Sequence, residues 1–305
     1  MKTLLTSFNN SFFVRNFLRT GIAADLLRSG KVRLVLLVPG GKLAYYRREF
    51  GSPRILFDTL PEVENLRSER MFKFLEMSSI HTRTVTMMQR TEFIRSRGHK
   101  LVLRRSVRYA VQRMLWFLGK FRLWRALLRR AYNVLPSDDF APYFRRYKPD
   151  LVYCQAMLYF DARLLKEAKK DGIPTIGMML SWDNLYSKTF LRAHPDLLMA
   201  HTDVIREQAV KFGDFPAGRI AVTGIPQYDR FFKRIGVGKR EEFVRSLGGD
   251  PSKKLLVYAF SGKAGLEIEF EMVEMLHDAI ARGEIQDVQV LVRPYPKFEF
   301  PESWL

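Results

Sequence analysis

Three short apolar runs between Ile173 and Arg230 each end in a polar cluster. The clusters are Ser181-Trp182-Asp183-Asn184, His201-Thr202-Asp203 and Gly224-Ile225-Pro226-Gln227-Tyr228-Asp229. Such runs suit buried parallel strands. Open α/β sheets bind ligands just beyond the carboxyl ends of their strands, so polar groups placed there repeatedly suit a binding cleft.

Asp183 is the candidate catalytic group. A carboxylate at a strand end can act as general base on an acceptor hydroxyl, provided its pKa is raised. Adjacent Trp182 could supply the desolvation. The alternative is that Asp183 only caps the turn that follows. Ser181, Trp182, Asn184, Lys188 and His201 are candidate substrate-binding residues around it. Asn9, Asn10, Ser11 and Arg15 follow the first apolar run, and their amide and guanidinium donors suit sugar hydroxyls or phosphate. Asn and Ser are equally good turn formers. No G-x-G-x-x-G accompanies them, which excludes a dinucleotide fingerprint.

Ser261, Gly262 and Lys263 lie between a strand-like and a helix-like run. Backbone amides and a helix N-terminus there could hold a donor phosphate, with Arg293 as a second contact. A plain turn explains the same residues, and the P-loop spacing is missing. His194, His201 and Asp203 have no metal-ligand spacing, and neither a metal nor a cofactor is implied. Cys154, the one cysteine, stands in a strand-like run and suits a core position.

The elements that must carry these residues alternate. Lys2 to Ser7, Val32 to Val38 and Arg54 to Phe57 are expected strands, with helices over Phe17 to Arg28 and Leu43 to Phe50 between them. That is the βαβαβ opening of a doubly wound domain. Asn65 to Val134 is mostly helical. The alternation then resumes with strands Leu151 to Cys154, Thr175 to Leu180, Leu197 to Ala200 and Ile220 to Val222. A second set follows: strand Leu255 to Phe260, helix Leu266 to Ala281, strand Val288 to Val292. The expected division is a first domain over residues 1–235 with a basic helical insertion over 65–135, a linker over 236–252, and an incomplete second domain over 253–305.

The chain has 305 residues, 47% hydrophobic, with a net charge of +19. From Thr91 to Leu135 there are twelve Lys and Arg against one acid, Glu92. That density points to a polyanionic partner surface, membrane headgroups or nucleic acid. On a wheel of Arg104 to Phe121, Val107, Ala110, Val111, Met114, Phe117, Leu118 and Phe121 share one face. Arg105, Arg108, Arg113 and Lys120 fall opposite, with Arg104 at the boundary and Tyr109 and Trp116 among the cations. Aromatics among arginines suit a headgroup interface, where each cation contributes about 1 kcal/mol. In the alternative, the apolar face is core and the basic face is merely solvated.

Ser181-Trp182-Asp183-Asn184, Val222-Thr223-Gly224-Ile225-Pro226-Gln227-Tyr228-Asp229 and Val292-Arg293-Pro294-Tyr295-Pro296 together resemble segments of GT-B-type glycosyltransferases of bacterial surface-polysaccharide synthesis. The wider kinship includes CDP-glycerol glycerophosphotransferases and UDP-N-acetylglucosamine 2-epimerase-like proteins. Tyr295 stands where that pattern often has histidine. The resemblance implies a GT-B-like α/β fold of two Rossmann-like domains, with acceptor bound by the first and a nucleotide-activated donor by the second. It implies transfer of a glycosyl or polyol-phosphate group to a glycan or lipid-linked acceptor. The single cysteine and the lack of a signal-like or membrane-spanning apolar run set the expected location in the cytoplasm, and the basic helix makes it peripheral at the inner face of the plasma membrane. A 2-epimerase-like enzyme, or a non-catalytic remnant binding membrane or nucleic acid, is the alternative. No recognised nucleic-acid motif accompanies the charge.

Overall fold

The computed structural model describes residues 1–62, 67–95, 102–233, 238–261 and 266–295. The chain divides into two compact units, Met1–Phe232 and Lys233–Leu305.

In the first unit the chain enters as β1 (Lys2–Ser7), the short helix α1 (Ser11–Phe13), a wide π turn (Val14–Leu18), α2 (Ile22–Arg28), β2 (Val32–Val38), α3 (Leu43–Phe50) and β3 (Ile55–Thr59). Four helices follow: α4 (Arg67–Ser79), α5 (Arg83–Arg95), α6 (Val102–Leu118) and α7 (Arg122–Val134). Then come α8 (Ala141–Tyr147), β4 (Leu151–Cys154), α9 (Tyr159–Lys170), β5 (Thr175–Met178), a second π turn (Asn184–Lys188), β6 (Leu197–Ala200), α10 (Asp203–Lys211), β7 (Ile220–Val222) and α11 (Asp229–Phe232).

The strands form one parallel sheet in the order β3-β2-β1-β4-β5-β6-β7. Helices cover both faces, so strand residues are apolar on both sides. Alternation divides β2 between two cores. Val35 and Leu37 join Leu5, Val152, Leu164 and Leu198 on one face. Leu34, Leu36 and Val38 join Phe8, Tyr46, Phe57 and Tyr153 on the other. Cys154 is buried in the first of these cores, and burial pushes its thiol pKa up. Gly177 lets β5 approach its neighbours: a Cβ there would lie 2.2 Å from Met157 Sδ and 2.9 Å from Pro195.

The expected helix from Phe17 to Arg28 is broken. Arg19 donates its backbone N–H to Val14 O, 2.9 Å, closing a π turn before the chain restarts as α2. The apolar spacing fits either arrangement, so periodicity alone could not find the break.

Buried charge ties the four-helix insertion to the sheet unit. Arg192 pairs with Glu69 on α4 at 2.8 Å and with Glu76 on the same helix. Glu76 also accepts the Phe190 N–H at 2.9 Å. Asp214 accepts from Arg125 at 2.6 and 2.7 Å and from Arg129 at 2.8 Å, both on α7. Burial raises the Asp214 carboxyl, but these arginines outweigh it and hold it below the usual range.

The second unit contains α12 (Arg240–Ser246), β8 (Lys254–Ala259), α13 (Leu266–Ala281) and β9 (Val288–Arg293). β8 and β9 pair in parallel with α13 connecting them, a βαβ unit. Residues 240–246, inside the stretch expected as a linker, are helical. No helix among the described residues is long and apolar enough to cross a membrane.

Candidate functional site

The strand order reverses between β1 and β4, the topological switch point where such sheets bind ligands. Asp161, in the first turn of α9, ties the two strand ends together. It accepts from Ser7 Oγ at 3.1 Å and from the Ala156 N–H at 2.7 Å. Backbone N–H groups of Met157 and Gln155 also reach it. Burial pushes its carboxyl up to about 6 against these hydrogen bonds. Gln155 adds bonds to Thr6 Oγ1 at 3.0 Å and Ser7 O at 3.3 Å. Met157 is left-handed at φ 55°, a conformation that costs a non-glycine residue energy and that a tightly gripped loop sustains. Asp161 is only 1% exposed. It therefore positions this loop and does not reach a ligand. Its sequence signal was an acid just inside a helix, and its partner Ser7 lies far away in the chain.

Asn184 grips the same loop from the β5 side, its Nδ2 donating to Ala156 O at 2.9 Å. It is buried, and its Oδ1 has no partner. Asn184 opens the second π turn, closed by the Thr189 N–H on Asn184 O at 2.8 Å. Single π turns are frequent at functional sites, and here they follow β1 and β5, both strands whose downstream loops carry candidate residues.

Asp183 departs from expectation. Trp182 is 77% exposed and gives it no apolar cover. Asp183 accepts from Ser181 Oγ at 2.6 Å and pairs with Lys188 Nζ at 2.7 Å. Partial burial raises the carboxyl, but the bonds from Lys188 and Ser181 outweigh it and hold it below the usual range. The expected raised pKa is corrected: this is an ionised, paired carboxylate. Asp183 stands at the N-cap position of the turn that follows, but its side chain accepts no backbone N–H there; its bond to that turn is the ion pair with Lys188. His201, at the end of β6, is buried with an unpartnered Nε2, and burial pushes its pKa down.

The loop after β1 divides its candidates. Asn10 caps α1, its side chain accepting the Phe12 N–H at 3.0 Å. Asn9 is exposed. Ser11 and Arg15 line an open cavity of about 870 Å³ with Arg19, Lys42, Tyr45, Gln227 and Tyr228. The π turn sets Arg15 and Arg19 on this one side. Arg15 lies over the Phe12 ring, 4.8 Å from its centre. Arg19 reaches Tyr45 Oη at 3.4 Å and Glu49 at 3.5 Å on the rim. Gln227 Oε1 is buried without a partner. Cations, aromatic rings and amide groups in one concavity suit an anionic ligand with a planar or sugar portion. Arg19 and Lys42 were missed in the sequence. Lys42 precedes a helix that looked merely structural, and the break that sets Arg19 at the cavity was not legible. The lining does not include Ser181, Trp182, Asp183, Asn184, Lys188 or His201, so the candidate substrate-binding residues fall into two groups.

In the second unit, Ser261 is engaged internally. Its N–H donates to Glu269 at 3.0 Å, and its hydroxyl bonds the same carboxylate. Bonds from Ser261 and Tyr258 hold Glu269 below the usual range. A carboxylate on α13 thus takes the amide expected to meet a donor phosphate. Arg293 ends β9, and Gly262 and Lys263 lie outside the described residues. Among the described residues, no three His, Cys, Asp or Glu side chains converge as a metal site.

The basic helix is also oriented otherwise than expected. Tyr109 stacks on Phe93 at 4.6 Å, and Trp116 Nε1 donates to Thr82 O at 3.1 Å. Arg113 lies over Trp116 at 4.4 Å and donates to Thr86 Oγ1 at 3.1 Å. Gln112, Leu115 and Gly119 are buried, while Leu103, Val107, Met114, Phe117 and Phe121 are exposed. The aromatics among the cations therefore pack inward, and the apolar stripe faces out. Arg104, Arg108 and Lys120 remain exposed beside it, and Arg105 is half-buried.

No protein-family model and no curated protein matches the chain. Solved structures do. A UDP-N-acetylglucosamine 2-epimerase superposes with a TM-score of 0.53 at 15% identity, covering 100% of this chain and 64% of that one. S. aureus MnaA, in a co-structure with UDP, gives 0.52 at 13% identity over 97% of this chain and 63% of its own. UDP-GlcNAc 2-epimerase from Methanocaldococcus jannaschii gives 0.50 at 12% identity, over 97% and 66%. The chain thus spans about two thirds of the length of these structures. At such identities the likeness establishes architecture alone: the chain has the Rossmann-like parallel α/β fold of the GT-B type.

Proposed function

We propose that the first unit is the acceptor-binding part of a transferase that takes a glycosyl or polyol-phosphate group from a nucleotide-activated donor to a glycan or lipid-linked acceptor in cell-surface polysaccharide synthesis. The cavity of about 870 Å³ carrying Arg15, Arg19 and Lys42 supports this reading most directly. An acceptor carrying a phosphate or diphosphate would place that group on the two arginines and a sugar against Tyr45 and Tyr228. Asp183 serves in this reading as a hydrogen-bond acceptor that orients a hydroxyl, its charge balanced by Lys188. The donor is assigned to the second unit, with Arg293 as its phosphate contact. Asp161 holds the β1 and β4 ends in place beneath the cavity's loop.

The test is binding of a short-chain alkyl diphosphate, followed by calorimetry, to the protein and to an Arg15→Ala/Arg19→Ala variant. Loss of two charge-assisted contacts, about 1.5–3 kcal/mol each, weakens binding at least tenfold. Equal affinity would remove the cavity from the account.

The second reading, a sugar-nucleotide 2-epimerase, is favoured by the likeness to UDP-N-acetylglucosamine 2-epimerases. It expects a nucleotide sugar to be converted without any acceptor. The transferase reading expects nucleotide release that depends on one.

A further inference from the structure

The helical insertion carries a surface that the cavity chemistry does not use. On α6, Leu103, Val107, Met114 and Phe117 share one stripe and all face outward, Leu103 at 80% exposure. The stripe continues over the turn into α7 through Phe121 and Leu123, which is 71% exposed. A run of large apolar side chains this long is unusual on a free surface. Cations border it on both sides. At helical spacing Arg104 and Arg108 flank one edge and Lys120 the other.

Beside this ridge, between α5 and α6, lies a groove of about 1030 Å³. Arg83, Arg95, Arg105 and Arg108 line it together with Met87 and Met88. Arg108 meets Glu92 at 3.5 Å. Arg83, Arg95 and Arg105 have no acidic partner among the described residues. The ridge is apolar, its borders are cationic, and the groove next to it combines arginines with methionines.

We infer that α6 and the turn into α7 form a membrane-docking surface, which inserts the Leu103–Phe117 stripe among the acyl chains of an anionic leaflet while the bordering arginines and Lys120 meet its phosphates. An interfacial helix has this layout, with an apolar face buried just below the headgroups and basic residues at their level. The orientation is the reverse of one in which Tyr109 and Trp116 meet the headgroups, because both are held inward by Phe93 and Thr82. A second copy of the chain fits less well, since a two-fold pairing of ridges would set their cationic borders against each other. Nucleic acid would satisfy the cations but leave the apolar stripe in water. The inference goes beyond the transferase reading and rests on the ridge alone, not on the cavity.

The test is flotation of the whole protein with vesicles of phosphatidylcholine alone and of phosphatidylcholine with phosphatidylglycerol, at low and high salt. The expected result is binding to the anionic vesicles only, weakened by salt. A Val107→Asp/Phe117→Asp variant should lose binding at least tenfold, and so should Arg104→Glu/Arg108→Glu. Circular dichroism checks that both variants fold, as the substituted side chains are exposed. A Phe117→Trp variant gives an independent reading: vesicles with brominated acyl chains should quench its added emission. Retained binding in Val107→Asp/Phe117→Asp, or no quenching at Phe117→Trp, overturns the insertion. So does a dimer in light scattering that Phe117→Asp dissociates, or binding to duplex DNA with none to vesicles. Turnover separates this inference from the transferase reading, because the ridge variants keep activity on a water-soluble acceptor and lose it on a vesicle-borne one.

Discussion

Ser7 at the end of β1 donates its hydroxyl to Asp161 at the start of α9, 3.1 Å away, and so joins the two loops that flank the switch point. The Asp161 carboxyl is pushed up to about 6 by burial, above the ordinary value near 3.9. The folded chain thus holds this proton more tightly than the unfolded chain does. The stability it contributes is complete below about pH 4 and is lost as the pH rises through about 6. The loss is on the order of 3 kcal/mol. Asp161→Asn cannot ionise and lacks this pH dependence. Its stability relative to the parent should therefore rise by that amount between pH 4 and pH 7 in urea titrations, a gap that moves with pH. A gap that stays constant over this window would mean the buried carboxyl does not titrate there.

Arg192 is 4% exposed and holds Glu69 and Glu76 of α4. Replacing it with Met strands two buried carboxylates. The expected cost is about 3–5 kcal/mol, read from the urea midpoint. Limited proteolysis should cut first within α4. Adding Glu69→Gln and Glu76→Gln to Arg192→Met should recover much of the loss, because the penalty lies in unpaired charge and not in volume.

Asp183 is held below the usual carboxylate range by Lys188 and Ser181 despite partial burial. Its ionisation then gives no limb in the pH–rate profile above about pH 4. Asp183→Asn should slow transfer by less than the roughly 10²–10⁴-fold that a general base supplies. A limb near neutral pH that vanishes in Asp183→Asn would restore the base.

The strands were legible because a parallel sheet covered on both faces needs unbroken apolar runs, as in β2, and the sequence between Val32 and Val38 has one. Amphipathicity was legible on α6, but a wheel separates two faces without saying which one is outward. The deciding contacts are Trp116 on Thr82 and Tyr109 on Phe93, made to a different helix and its N-terminal loop. The same limit hid Asp161 and Arg192, whose partners lie 154 and 123 residues away. Asp183 was found by its position at a strand end, but its character was not. That depends on Lys188 five residues on, brought back to it by a π turn that no local pattern announces.

The central position of β1 in the sheet has a kinetic side. Its first neighbour, β2, follows within one crossover, but the second arrives only when Thr3 meets Asp150, 147 residues along. Closing a loop of that length is entropically costly before any pairing repays it, and such non-local contacts slow folding. The expected order is therefore that β1 to β3 and β4 to β7 form first as separate half-sheets and that the seam between β1 and β4 zips last. Pulsed hydrogen exchange during refolding should protect Leu34 to Leu37 before Val152 to Cys154, and simultaneous protection would refute the order. On this view the seam of the sheet, where Ser7 and Asp161 meet, is also the final checkpoint of its assembly.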